Sequence, residues 1–131
     1  METFDTNVLV RLVVQDDADQ CARAERSWRS AVRSSGVFLP VVALVELVWV
    51  LRVAYKLDRA SVAATLRRLI SSEGVTLERE DVLHAALDRY TAGLADFSDY
   101  VILETGRSVG AVPLRTFDAR LAQTAEVELV P

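Results

Sequence analysis

Short β-branched and aromatic runs alternate along this chain with longer stretches of helical periodicity, and that alternation constrains the fold more than any other feature. Met1–Phe4, Val37–Leu39, Val75–Leu77, Ala111–Arg115 and Val127–Val130 read as strands, the first on very few residues. Between them lie helices with recognisable ends. Asp16–Ser34 carries Ala18, Cys21, Ala22, Trp28, Ala31 and Val32 on one face, places Asp16, Asp17 and Asp19 in its first turn, and stops at Gly36. Pro40 suits the first turn of the next helix. Asp58 is expected to cap a helix with an inner stripe of Val62, Leu66, Leu69 and Ile70, ending by Gly74. Glu80 and Asp81 open another, with Val82, Leu83, Ala86, Leu87 and Tyr90 inward and Gly93 as terminator. Asp96 or Ser98 caps a further helix through Arg107, and Asp118 opens a short last one.

Strands joined through helices form βαβ crossovers, which need a mainly parallel sheet covered on both faces. The expected class is therefore α/β, a three-layer α/β/α sandwich. No repeat, low-complexity stretch or linker interrupts the sequence, so residues 1–131 are expected to form a single domain. Such folds place their sites beyond the carboxyl ends of the strands, so the polar residues that follow strands are the ones to weigh.

Composition narrows the setting. Cys21 is alone, which excludes an intrachain disulfide, and Met1–Asp5 lacks the basic and apolar regions of a signal peptide, so a cytoplasmic location is expected. The apolar run Val41–Tyr55 is broken by Glu46 and Arg52 and is shorter than the ~20 residues of a membrane span, so it reads as a buried helix. With 15 basic against 19 acidic residues the net charge is -4, which argues against a nonspecific nucleic-acid coat protein. That sum is silent on where the charges sit.

Several acids fall where such a fold builds sites. Asp5 follows the first strand directly, and Asp118 follows the fourth within Thr116-Phe117-Asp118. Asp96 and Asp99 open a helix. Each of these Asp residues also fits the simpler role of a helix cap. Glu46 does not. On its helix, Arg52 and Lys56 fall about 40° apart and mark a solvent edge, whereas Glu46 lies about 120° from Arg52 among Val42, Val45, Trp49 and Val50. A carboxylate on an apolar face is costly unless a cation or a water-filled cleft meets it.

Converging carboxylates repel and take up protons unless a cation joins them. Mg²⁺ or Mn²⁺ suits oxygen donors, and the chain has no second His or Cys to suggest zinc. Such an ion lowers the pKa of a bound water and neutralises charge on a phosphodiester, so the implied chemistry is phosphodiester hydrolysis. A receiver-like signalling domain would need a lysine after a late strand, and the single lysine, Lys56, follows the apolar helix instead. A phosphatase with an aspartate nucleophile would want a second Asp where Asn7 stands.

Phe4-Asp5-Thr6-Asn7-Val8-Leu9, Pro40–Leu51 with Glu46 inside it, Ala95-Asp96-Phe97-Ser98-Asp99-Tyr100-Val101-Ile102 and Thr116-Phe117-Asp118 occur in an order and spacing that resembles PIN-domain ribonucleases, in particular the toxins of VapBC-type toxin-antitoxin pairs. The resemblance covers essentially the whole chain. It implies that Asp5, Glu46, Asp99 and Asp118 are catalytic, with Asp5 and Asp99 holding Mg²⁺ or Mn²⁺ directly and Glu46 and Asp118 through water. Asp96, Thr6, Asn7 and Thr116 then become accessory residues. It further implies a metal-dependent endoribonuclease that acts on an RNA substrate as a homodimer and is held inactive by a cognate antitoxin protein. A catalytically silent, metal-binding protein-interaction module is the alternative.

Other residues carry weaker signals. Arg11, one turn after Asn7, is a candidate phosphate contact. Arg23, Arg26, Arg29 and Arg33 share one helix face that Asp19 and Glu25 partly balance, which suits either a solvated surface or a phosphate track. His84 lies far from every motif and reads as structural, Cys21 as a small buried hydrophobe, and Trp28 and Trp49 as core more readily than interface.

Overall fold

The computed structural model describes residues 1–131 and divides them into two compact units, Met1–Glu80 and Asp81–Pro131. The first unit contains β1 (Glu2–Thr3), α1 (Thr6–Val13), α2 (Ala18–Ser34), β2 (Val37–Leu39), α3 (Val41–Val53), α4 (Arg59–Ile70) and β3 (Val75–Leu77). Its sheet runs β1-β2-β3 with both pairings parallel, Thr3 opposite Phe38 and Phe38 opposite Thr76. Gly36 sets that register. With φ at 89° it takes a left-handed conformation that suits glycine, its N–H closes α2 on the Ala31 carbonyl, and its own carbonyl accepts from Glu2 N–H at 2.9 Å.

The inner faces of this unit follow the apolar periodicity. Val62, Leu66, Leu69 and Ile70 of α4 are buried as expected, and Asp58 caps that helix by accepting from Ser61 N–H at 2.7 Å. On α2 the buried residues are Cys21, Ala24 and Ala31, with Trp28 half-buried and set edge-on against Phe4 at 5.4 Å. Ala18 and Ala22 are exposed, because the stripe that meets the sheet steps through 21, 24, 28 and 31.

Helix α3 departs most from expectation. Ala43, Leu44, Leu47, Val48 and Leu51 form its buried stripe, and the opposite face is not buried. Val42, Trp49 and Val53 are 62%, 64% and 54% exposed, so Trp49 is no core residue and Glu46 beside it stands in solvent. The cause is the apolar composition itself: with Val or Leu at almost every position, the inner face cannot be told from the outer by hydropathy.

The second unit holds α5 (starting at Glu80 and ending at Ala92), α6 (Phe97–Ser108), β4 (Leu114–Thr116), a 3-10 turn (Leu121–Gln123) and β5 (Val127–Leu129). Strands β4 and β5 pair in parallel, Leu114 opposite Val127 and Thr116 opposite Leu129. The expected strand at Ala111 begins only at Leu114: Ala111 N–H is spent on the Gly106 carbonyl at 2.8 Å, and Pro113 has no N–H to give. All five residues foreseen for the inner stripe of α5 are buried, and Tyr90 meets Phe97 edge-on at 5.9 Å. Gly93 ends α5 where nothing larger fits, since a Cβ there would lie 2.0 Å from the Tyr100 hydroxyl. Buried within this unit is one carboxylate, Glu104, at 7% exposure, gripped by Arg89 and by Arg107 Nη1 at 3.1 and 3.3 Å.

Candidate active site

Asp5 stands where β1 gives way to α1, and its carboxylate Oδ1 caps the helix by accepting from Val8 N–H at 3.1 Å. The capping role and a site role are compatible here, because Oδ2 accepts from no protein donor and the residue is exposed. The next residue reaches across: Thr6 Oγ1 donates to Glu46 Oε2 at 3.0 Å. The sharpest anomaly of the sequence is therefore resolved by the second of its two expected neighbours, a cleft. Glu46 is met by a hydroxyl at the mouth of a cleft, not by a buried cation. Asp5, Thr6, Asn7, Pro40, Glu46 and Val50 line a cavity of about 360 Å³.

Arg11 is not a free cation. Its Nε donates to Gln20 Oε1 at 2.6 Å, and its Nη1 donates to Asp16 Oδ1 at 2.8 Å and to the Tyr55 hydroxyl at 3.3 Å. Tyr55 in turn donates to Asp16 Oδ2 at 2.7 Å. The Tyr55 hydrogen bond, helped by the Arg11 charge and opposed by partial burial, holds the Asp16 carboxyl below the usual range. Along α2, Arg29 pairs with Glu25 at 3.4 Å and Arg23 lies 3.8 Å from Asp19, so these two acids balance part of the arginine face.

In the second unit Asp96 occupies the N-cap of α6, and Asp99 Oδ2 accepts back from Asp96 N–H at 3.1 Å. Burial raises the Asp99 carboxyl above its ordinary pKa; the nearby Asp96 and Asp118 charges push the same way, while the Asp96 N–H opposes them. Asp118 is held by its own turn. Its N–H donates to Thr116 Oγ1 at 3.0 Å, and its Oδ1 accepts from Arg120 N–H at 2.8 Å. Thr116 thus positions Asp118 as Thr6 tethers Glu46.

A divalent cation suits the chemistry of these residues. Asp5 keeps an oxygen without a protein donor, and burial, with the nearby Asp96 and Asp118 charges, disfavours the ionised form of Asp99, a cost that a bound cation would relieve. The lone cysteine is buried with Sγ donating to the Val14 carbonyl. In neither unit do three or more His, Cys, Asp or Glu side chains gather closely enough to hold an ion by themselves.

Sequence reasoning missed Glu104, Arg89 and Tyr55. Glu104 was findable: Phe97, Tyr100, Val101 and Glu104 fall at i, i+3, i+4 and i+7, which puts an acid on the apolar face of α6. Tyr55 carries no comparable signal, since its partner Asp16 is 39 residues away.

Parallel strands, aspartates beyond the ends of β1 and β4, and a helix glutamate tethered by the hydroxyl after β1 describe an α/β protein with acids beyond its strand ends. The chain matches the PIN domain family over residues 3–127 and belongs to that family. PIN domains are generally metal-dependent nucleases. Membership, six α-helices and wholly parallel pairing bear out the expected three-layer α/β/α class. The chain matches no curated protein sequence. No helix is long and apolar enough to cross a membrane, as read from the interrupted Val41–Tyr55 run.

Proposed function

We propose that this PIN domain is a metal-dependent endoribonuclease that serves as the toxin of a VapBC-type pair in the cytoplasm, with residues 1–131 acting as one functional domain. The observation that carries the reading is the coupling at the end of β1: Asp5 offers an open carboxylate oxygen, and the adjoining Thr6 fixes Glu46 on the same cavity. Asp5 and Asp99 would hold Mg²⁺ or Mn²⁺ directly, with Glu46 and Asp118 acting through water. A bound ion of this kind supplies an acidified water and neutralises charge at a phosphodiester. Thr6 keeps one Glu46 oxygen engaged and leaves the other to orient water. Thr116 and the turn N–H groups hold Asp118, Asp96 accompanies Asp99, and Asn7 presents an amide at the cavity wall.

Homodimer formation and restraint by a cognate antitoxin belong to the same proposal, supported by the outward stripe of Val42, Trp49 and Val53 on α3. That stripe also favours the second reading, a metal-binding interaction module without catalysis. The deciding experiment is RNA cleavage by wild type and Asp5→Asn in Mg²⁺ or Mn²⁺, with circular dichroism to verify folding. Cleavage is expected to fall by more than about 100-fold in the variant. Wild-type cleavage by folded Asp5→Asn removes the catalytic assignment. A folded wild type without cleavage, but with a large metal-induced rise in melting temperature, supports the interaction module.

A further inference from the structure

Asp5 and Asn7 line two cavities. One holds Glu46; the other, of about 610 Å³, opens between α1 and α2 and is lined further on by Arg11, Gln20, Arg23 and Ser27. Glu2 and Asp5 are the acids of that second lining. The lining beyond Asp5 is rich in hydrogen-bond donors without protein acceptors. Arg11 is anchored through Nε and Nη1, which leaves Nη2 unused on a guanidinium that is already fixed. Gln20 spends its Oε1 on Arg11, so its Nε2 protons are free. Ser27 is exposed, and Arg23 has only the loose 3.8 Å approach to Asp19, with both side chains largely in solvent.

We propose that the α1/α2 cavity is a phosphate subsite for the RNA strand beside the bond to be cut, with Arg23 supplying charge and Arg11 Nη2, Gln20 Nε2 and Ser27 Oγ supplying directed donors. The inference rests on the nuclease reading for its ligand and on Asp5 and Asn7 for continuity between the two cavities. The donors of Arg11, Gln20, Arg23 and Ser27 suit phosphate oxygens, which accept and cannot donate, and the two guanidinium groups stand against the two acids, Glu2 and Asp5, of the same lining. Its volume falls within the roughly 300–1,000 Å³ of ligand pockets. An acidic peptide of a protein partner would find the same donors, but nothing in its chemistry explains why the cavity shares its wall with Asp5.

The test reads binding apart from cleavage. Anisotropy of a fluorescein-labelled, mixed-sequence single-stranded RNA is measured with Ca²⁺ replacing Mg²⁺, for wild type, Arg23→Gln, Arg23→Lys and Ser27→Trp. Arg23→Gln is expected to weaken binding about five- to tenfold and to flatten the salt dependence by about 0.7 in log–log slope. Arg23→Lys should restore most of both, and Ser27→Trp should weaken binding by filling the cavity. All substituted side chains are exposed, so folding is not at stake. Unchanged affinity and slope in both Arg23→Gln and Ser27→Trp overturns the subsite whether or not wild type cleaves RNA. Loss of binding to a labelled glutamate-rich peptide in Arg23→Gln, with RNA binding unaltered, overturns it in favour of a protein dock. Failure of wild type to cleave, with Arg23-dependent RNA binding intact, defeats the nuclease reading alone.

Discussion

Glu104→Gln isolates the one buried carboxylate of the second unit. In the wild type its oxygens accept from Arg89 Nε and twice from Arg107 Nη1, and its side chain is 9% exposed. The amide keeps the shape but loses the charge, and its NH₂ cannot accept, so at least one of these bonds disappears and the others become ordinary. Hydrogen bonds to charged groups are worth about 1.5–3 kcal/mol against about 1 for neutral ones. Arg89 is 27% exposed and can recover some hydration, which lowers the cost below the ~3–5 kcal/mol of breaking a fully buried pair. The expected loss is about 2–3 kcal/mol. An unfolding entropy of about 2.1 cal/mol/K per residue converts this to a melting temperature lower by roughly 7–11 °C. Differential scanning calorimetry of the purified chain measures it, with Glu126→Gln as control. Glu126 meets Arg107 at 2.9 Å on the surface, with 43% of its side chain exposed, and its loss should move the midpoint by less than about 2 °C. A Glu104→Gln midpoint within 2 °C of wild type, as expected of the control, would show that hydration repairs the site and would refute the reasoning.

Thr6→Ala removes the hydroxyl that fixes Glu46 and should lower RNA cleavage about three- to tenfold, while Thr6→Ser restores it; equal rates for Ala and Ser would disconnect Thr6 from the site. Asp99→Asn should stabilise the protein in EDTA near neutral pH. Burial and the neighbouring Asp96 and Asp118 raise the folded-state pKa of Asp99, so its ionised form opposes folding. That penalty is complete above the raised pKa and absent below the unfolded value near 3.9, so thermal melts of the two proteins should converge as pH falls through this window. Mg²⁺ should raise the wild-type midpoint more than that of the variant, and a variant less stable than wild type at neutral pH in EDTA contradicts the sign.

Elements with contrasting faces were legible in the sequence. The stripes of α4 and α5 appear as read, because polar residues interrupt them at every turn and leave only one apolar face. Asp58 and Asp96 cap as expected, since a short side-chain acceptor or an extended N-cap residue at a helix start is a local matter. Strand β4 starts late for a reason that hydropathy does not see, the capture of Ala111 N–H by Gly106. The α1 to α2 cluster of Arg11, Asp16, Gln20 and Tyr55 was invisible for a different reason: it depends on where Tyr55 ends up after α3, which no local pattern encodes.

An acid on an apolar helix face carries the cost of a buried charge only where that face is the inner one. In α6 the face is inner, and Glu104 brings two arginines with it, as that cost demands. In α3 both faces are apolar, the inner one is taken by Leu44, Leu47 and Leu51, and Glu46 is left outside with Trp49. An exposed Glu46 needs no cation for stability, which removes the energetic reason for placing a metal there and leaves the chemical one. What then requires explanation is the apolar surface around it, since Val42, Trp49 and Val53 gain nothing from solvent. A partner that covers this stripe would border the Glu46 cavity, which Val42 also lines, so docking on α3 and access to the candidate site are coupled by geometry.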